Sequence, residues 1–348
     1  MWILCEEGYA ESVWCKQLCD GLVKELKKRR ISYSKVSVLQ EADADDAVCL
    51  IGITNQWLGE MIAWCNQKKC VPVVLTTLPR KTVPGHYHLI CPNTMEAMEK
   101  LKAECARAGR NRVALYGINR KSDLDVERMR SYMQFFEEPG CIYQNHRSLE
   151  NSFREFLQDA AKYDVVICAN GYTALSLVKK LEKEAAHLLE ELVIISWEEV
   201  LKHSKFNQWI SVVDQHLECF GAAAVAVAEI ISGKQHIETV VVGIESEICT
   251  IPEKKNADTA KEMKGSETAF YEDPEVISMA KIEQLMTEAD DMDHHIIAML
   301  LDNAKYGEIA DSCYMTEGNV KYRVKKYMNI CGCKTKKELL ELLQEYLQ

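Results

Sequence analysis

Thr316, Asn319, Lys321, Tyr322, Arg323, Lys325 and Lys326 form the densest concentration of binding chemistry in the chain. With a helical repeat, Asn319, Tyr322, Lys325, Lys326 and Asn329 share one face, flanked by Lys321 and Arg323. Val320, Val324, Tyr327 and Met328 share the opposite face. Thr316 supplies an N-cap hydroxyl, and Glu317 puts negative charge in the first turn, where the helix dipole favours it. From Thr316 to Glu338 there are seven basic residues against two acidic ones, in a chain of net charge -11. A short helix over Glu308–Ser312, a tight turn and a second helix with a basic outer face is the arrangement that reads bases in a major groove.

Other reactive groups do not assemble into a site. Glu6-Glu7 and Glu198-Glu199 are paired carboxylates without a nucleophile, a phosphate-binding loop or a GxGxxG turn near them. His86, His88, His294 and His295 lack a third ligand at metal spacing and read as surface histidines. No catalytic constellation is present, so an enzyme is not expected; neither is a metal or any other cofactor.

Totals narrow the classes further. The chain has 348 residues, is 47% hydrophobic, and has room for two or three domains. Its pI near 5.4 excludes a protein that coats nucleic acid along its whole surface. Fifteen cysteines include no CxxC pair, and most lie in apolar runs such as Val165–Cys168, so they read as small core hydrophobes in a reducing compartment. The first residues, Met1–Tyr9, lack the basic and long apolar segments of a secretion signal, and no apolar run is long enough to span a membrane. A cytoplasmic protein is expected.

The elements that must position these groups alternate along residues 1–252. Apolar strand runs such as Ala47–Ile53, Val71–Leu75, Val165–Ala169 and Leu192–Ser196 alternate with helical patterns such as Glu11–Arg29, Thr94–Ala108 and Thr173–Ala186. Near-continuous apolar strands suit parallel sheets covered on both faces, and the alternation predicts doubly wound α/β lobes. Tyr9 and Trp14 follow the first strand, where such a fold places ligand-facing aromatic rings. Tyr172 and Trp197 are weaker candidates of the same kind. Residues 253–274 are polar and charged, a linker composition; Glu275–Glu288 then resumes an amphipathic helix, and Thr335–Glu338 opens a last, leucine-rich one.

Two resemblances join this reading. The C-terminal segments Glu308-Ile309-Ala310, Thr316 to Lys321, Ile330 to Cys333 and Lys336 to Leu339 resemble the LuxR-type helix-turn-helix. Asn319 replaces that family's usual threonine, Asn303 a glycine, and its opening residues are missing. Residues 1–252 resemble the effector-binding core of the LacI/GalR repressors, itself similar to periplasmic sugar-binding proteins. Asp46 to Gly52, Val71 to Leu75, Gly109 to Ala114, Arg128 to Tyr132, Ala169-Asn170, Ile195 to Glu199 and Val213 to Gly221 carry it, in family order. The family's N-terminal helix-turn-helix has no counterpart before Trp2.

The resemblance implies a two-lobed, type I periplasmic-binding-protein-like α/β domain followed by an all-α helix-turn-helix domain. Lobe 1 would take about 1–108 plus 217–236, lobe 2 about 109–216 plus 237–252, and the helical domain 275–348. It places Arg128, Asn170, Glu198 and Gln215 against a polyhydroxylated effector. Gly171 stands where the family has aspartate, and Glu198 is longer than the usual aspartate. The expected function is ligand-responsive transcription regulation, as a homodimer that binds a sugar-like effector and operator DNA without membrane contact. The competing expectation is a receptor whose C-terminal helices contact a protein.

Overall fold

A computed structural model of the chain describes residues 1–39, 42–78, 83–136, 141–145, 148–202, 204–232, 238–253 and 273–347. The strands are β1 (Trp2–Cys5), β2 (Ser34–Val36), β3 (Ala47–Ile51), β4 (Val71–Leu75), β5 (His88–Pro92) and β6 (Val113–Ile118). After them come β7 (Ile142–Gln144), β8 (Val165–Cys168), β9 (Val193–Ser196), β10 (Ile210–Val212) and β11 (Val241–Ile244). The helices are α1 (Val13–Arg29), α2 (Asn55–Lys68), α3 (Thr94–Arg107), α4 (Asp123–Phe136), α5 (Leu149–Asp159), α6 (Gly171–Glu184) and α7 (Leu188–Glu191). They continue with α8 (Phe220–Ser232), α9 (Pro274–Glu288), α10 (Asp291–Leu301), α11 (Tyr306–Ser312), α12 (Glu317–Cys331) and α13 (Lys336–Leu347). Among the described residues no helix is long and apolar enough to cross a membrane.

The strands form two sheets, ordered β11-β5-β4-β3-β1-β2 and β10-β9-β8-β6-β7, and every named pairing is parallel. Val165–Cys168 and Val193–Ser196 are buried along their whole length, as parallel strands covered on both faces require. The chain divides into two compact units. The first comprises Met1–Glu104, Ser122–Glu137 and Val213–Cys249, and the second Cys105–Lys121, Glu138–Val212 and Thr250–Gln348. This is the doubly wound α/β architecture that the alternation predicts.

Between the two lobes the boundaries differ from expectation at β11 and at α4. Residues 237–252 were expected in the second lobe, but β11 pairs with β5 in the first sheet, Val241 opposite Leu89 and Ile244 opposite Pro92. The reason lies in β5, which the apolar pattern did not reveal. Its His88 is 2% exposed, not a surface histidine, because its Nδ1 accepts the Val240 N–H at 3.0 Å. Helix α4 also falls in the first unit: Leu124 packs on that unit's core, Asp123 bonds to Asn55, and Lys102 lies 4.9 Å over the Phe136 ring.

The second unit carries the C-terminal helices. Of the linker read over 253–274, residues 254–272 lie outside the described residues. Helices α9 to α13 do not form a separate core. Val276, Met279, Ile282, Leu300, Val324 and Tyr346 share one buried cluster with Phe153 of α5 and Leu175, Val178 and Leu181 of α6. The predicted helical pattern over Glu275–Glu288 turns its Val276, Met279, Ile282 and Leu285 into this cluster, as α9.

Candidate functional site

The C-terminal face is built from local signals. The Thr316 hydroxyl accepts the Asn319 N–H at 3.3 Å and starts α12, and Gly332 in left-handed conformation ends it. Val320, Val324 and Tyr327 are buried, which turns Asn319, Lys321, Tyr322, Lys325, Lys326 and Asn329 to solvent. Tyr322 is 75% exposed, and Tyr314, in the turn between α11 and α12, is 98% exposed with φ 52°. The cations of α12 are not equivalent. Lys321 pairs with Glu317 at 3.1 Å, and Arg323 binds Asp290 at 3.1 Å and Asp293 at 2.5 Å. Lys325 and Lys326 have no acidic partner among the described residues.

Asp293 is buried and also accepts the Tyr327 hydroxyl at 2.5 Å. Burial pushes its carboxyl up, but the Tyr327 and Arg323 hydrogen bonds outweigh this and hold it below the usual carboxylate range. The Arg323 guanidinium is correspondingly held protonated, chiefly by its bond to Asp293. This cluster fastens α12 to α10.

In the first unit, the carboxyl ends of the strands carry Glu6, Tyr9 and Thr54. Glu6 is buried; its carboxylate accepts the Ile53 N–H at 2.8 Å and the Thr54 N–H and hydroxyl at 3.2 and 2.5 Å. It braces the start of α2. Tyr9 and Trp14 are half-buried with ring centroids 5.9 Å apart, and Trp14 packs against the core of its unit. Arg128 is buried on α4 with its guanidinium 3.8 Å from Asp125. Gln215 is buried beside Asp214, whose backbone bridges to Glu247.

In the second unit, Asn170 caps α6, its oxygen accepting the Thr173 N–H at 3.0 Å while the Thr173 hydroxyl accepts the Asn170 N–H at 3.0 Å. Glu198 accepts the Gly171 N–H at 3.4 Å, so Asn170 and Glu198 sit side by side at the ends of β8 and β9. Gly171 is required there: a Cβ would lie 2.8 Å from both Val200 methyls and 3.0 Å from the Glu198 carbonyl. Trp197 is buried and belongs to the interior, whereas Tyr172 is partly buried against the core. Asn119 and Asn145, at the ends of β6 and β7, are polar strand-end residues that sequence patterning did not single out.

Two short routes lead from this edge to the C-terminal helices. Helix α6 begins at the Asn170 cap, and further along it Lys180 pairs with Glu275 of α9 while Lys179 pairs with Glu345 of α13. Lys179 also lies 4.5 Å over the Tyr346 ring. The segment after Glu198 reaches α9 directly, because the Leu201 N–H donates to Glu283; burial, chiefly, pushes the Glu283 carboxyl up. Ser204 then donates to the Tyr346 carbonyl at 2.7 Å, and Asp273, which caps α9, accepts the Leu149 N–H at 2.7 Å.

No protein-family model matches the sequence, and a search of curated proteins finds no match. Solved structures do match. The transcriptional regulator CelR in complex with cellobiose is 15% identical with a TM-score of 0.56, over 71% of this chain and 82% of that one. CcpA of Lactococcus lactis is 13% identical with a TM-score of 0.55, over 73% and 99%. A LacI family transcriptional regulator from Enterococcus faecalis V583 with bound ribose is 12% identical with a TM-score of 0.56, over 73% and 100%. The structural neighbours are thus LacI-family transcriptional regulators, and at these identities the likeness is one of fold. More than a quarter of this chain lies outside each match, and no comparison supports a LuxR-type helix-turn-helix at the C-terminus.

Proposed function

We propose that the protein is a ligand-responsive transcriptional regulator. It takes a small, carbohydrate-like metabolite at the carboxyl edges of its parallel sheets and binds operator DNA through α11 and α12, as a cytoplasmic homodimer. One observation carries the DNA reading: the outer face of α12 presents Asn319, Tyr322, Lys325 and Lys326 to solvent, with neither lysine paired to an acidic group among the described residues, in a chain of net charge -11. Asn319 near the start of the helix suits a base edge, and Lys325 and Lys326 suit phosphates. Arg323, tied to Asp290 and Asp293, positions α12. The bound cellobiose and ribose of the structural neighbours favour a sugar for Tyr9, Trp14, Arg128, Asn170, Glu198 and Gln215.

The coupling route follows from the packing of the second unit. Its ligand edge and its C-terminal helices share one core, so the signal passes along α6 and the 198–204 segment. A coupling of about 1–3 kcal/mol would change operator affinity roughly 5- to 150-fold. The test is recovery and sequencing of genomic fragments retained by the protein at near-physiological salt, with and without candidate sugars. Enrichment of a few inverted repeats is expected, because half-sites mirror the symmetry of a dimer. Retention of no fragment would overturn the DNA reading in favour of a receptor whose helices contact a protein.

A further inference from the structure

Helix α11 ends in a tight pair of backbone bonds. The Met315 N–H donates to the Ala310 carbonyl at 2.9 Å and the Tyr314 N–H to the Asp311 carbonyl at 3.3 Å, with Tyr314 at φ 52°. This is a left-handed helix stop, whose turning residue is usually glycine and sometimes asparagine. Among the described residues, α1, α2, α3, α10 and α12 end with the same pair of bonds. Their left-handed residues are Arg30, Lys69, Gly109, Asn303 and Gly332. Two are glycines, one is an asparagine, and the other two carry exposed charged chains that water solvates. Of these ends, only that of α11 sets an aromatic ring at the turn.

The left-handed region is disfavoured for any residue that bears a Cβ, and most of all for a bulky one. The Tyr314 ring is 98% exposed, so packing within the chain does not offset that strain. The turn that carries it is nevertheless fixed. Cys313 is buried on one side of Tyr314, and Met315 on the other packs against the same core. A strained backbone that presents a rigid, largely apolar ring to solvent points to contact with another molecule.

Position and charge identify the partner. Tyr314 stands two residues before the Thr316 cap, at the N-terminal end of α12. That end approaches base edges when such a helix enters a major groove. The outer face that starts there carries Asn319, Lys321, Tyr322, Lys325 and Lys326, in a chain of net charge -11. The charged groups nearest to Tyr314 in sequence are acidic: Asp311 is exposed, and Glu317 is paired with Lys321 at 3.1 Å. They disfavour a phosphate against the phenol and leave the apolar ring face as the contacting surface.

We propose that Tyr314 is a DNA-contacting residue whose ring packs against deoxyribose carbons of a duplex, at the N-terminal end of α12. This rests on the DNA reading above and extends it to a residue outside that helix. Such a contact is indifferent to sequence, and being neutral it releases no counterions, which separates it from the lysines.

The test uses the full chain, with Tyr314→Asn and Tyr314→Phe. Melting is followed without DNA, and anisotropy of a labelled duplex of arbitrary sequence is followed across a salt series. Tyr314→Asn installs a residue that tolerates the left-handed region, and is expected to melt at or above the wild-type temperature, by up to about 4 °C. Its duplex affinity is expected to fall about tenfold at every salt concentration, with the slope of log K against log salt unchanged. Tyr314→Phe keeps the ring and is expected to hold its affinity within about twofold of the wild type. A Tyr314→Asn protein that melts below the wild type would make the ring structural and overturn the assignment. Unchanged affinity in Tyr314→Asn, while Lys325→Ala with Lys326→Ala still weakens binding, would overturn the assignment and leave the DNA reading standing. A loss in Tyr314→Phe as large as in Tyr314→Asn would move the contact to the hydroxyl and overturn the ring packing. A wild-type chain that does not bind the duplex even at low salt would overturn the DNA reading itself.

Discussion

If α12 lies on DNA, its four cations should separate by salt dependence. Lys325 and Lys326 are exposed and have no acidic partner among the described residues, while Glu317 already neutralises Lys321, and Asp290 and Asp293 already neutralise Arg323. Each phosphate contact contributes about 0.9 to the slope of log K against log salt. Lys325→Ala and Lys326→Ala together should therefore flatten the slope by about 1.8. Between about 50 and about 200 mM salt, the wild type then loses about twelvefold more affinity than the double variant. Arg323→Ala should leave the slope nearly intact and instead cost about 2 kcal/mol of stability, by removing a charged partner from Asp293, whose side chain is 6% exposed. Fluorescence anisotropy of a labelled duplex of arbitrary sequence reads the slopes, because phosphate contacts are indifferent to sequence. Denaturant unfolding reads the stability. An unchanged slope in the lysine double variant would refute the placement of α12 on the backbone. So would an Arg323→Ala protein of full stability whose slope falls as far as that of the double variant.

Three further outcomes are expected. Gly171→Asp, which installs the residue of the LacI/GalR pattern, should destabilise the protein by about 1–3 kcal/mol, because its Cβ would meet Val200 at 2.8 Å; Val200→Ala should restore part of this in a melting assay. Thr316→Ala should cost about 1 kcal/mol by removing the N-cap of α12, read by the same unfolding assay. The Asp293 carboxyl is depressed in the folded protein, so its stabilising contribution is full above its unfolded value near about 3.9 and is lost as pH falls through the folded value. The melting-temperature advantage of wild type over Asp293→Asn should therefore shrink in strongly acidic buffer, and a gap that stays constant would contradict the role given to Tyr327 and Arg323.

Much of the fold was legible because its signals are local or periodic. The apolar runs of β3, β4, β8 and β9 announced buried parallel strands, and the cap at Thr316 and the buried stripe Val320, Val324 and Tyr327 placed α12 and its outer face. Strand β5 escaped notice because His88 and Pro92 break its apolar pattern; the Val240 N–H donated to the His88 ring helps to make it an acceptable interior residue. Val241–Ile244 were assigned to the other lobe for the same reason, since their partner strand was unknown. Asn145 carried no signal beyond standing at the end of a short run.

Composition, period and capping in the sequence thus determined two parallel sheets, a C-terminal helical segment and a basic, polar face on its penultimate helix, because each depends on residues within a few turns of one another. Tertiary structure decided which of the α12 cations are free, that α9 to α13 share a core with α5 and α6, and that β11 belongs to the first sheet. Those outcomes depend on which distant groups meet: an aspartate 30 residues from its arginine, a histidine 152 residues from the N–H it accepts. Spacing along a chain constrains such meetings only weakly, whereas the burial of polar groups, each of which must find a partner or bear the cost, selects among them.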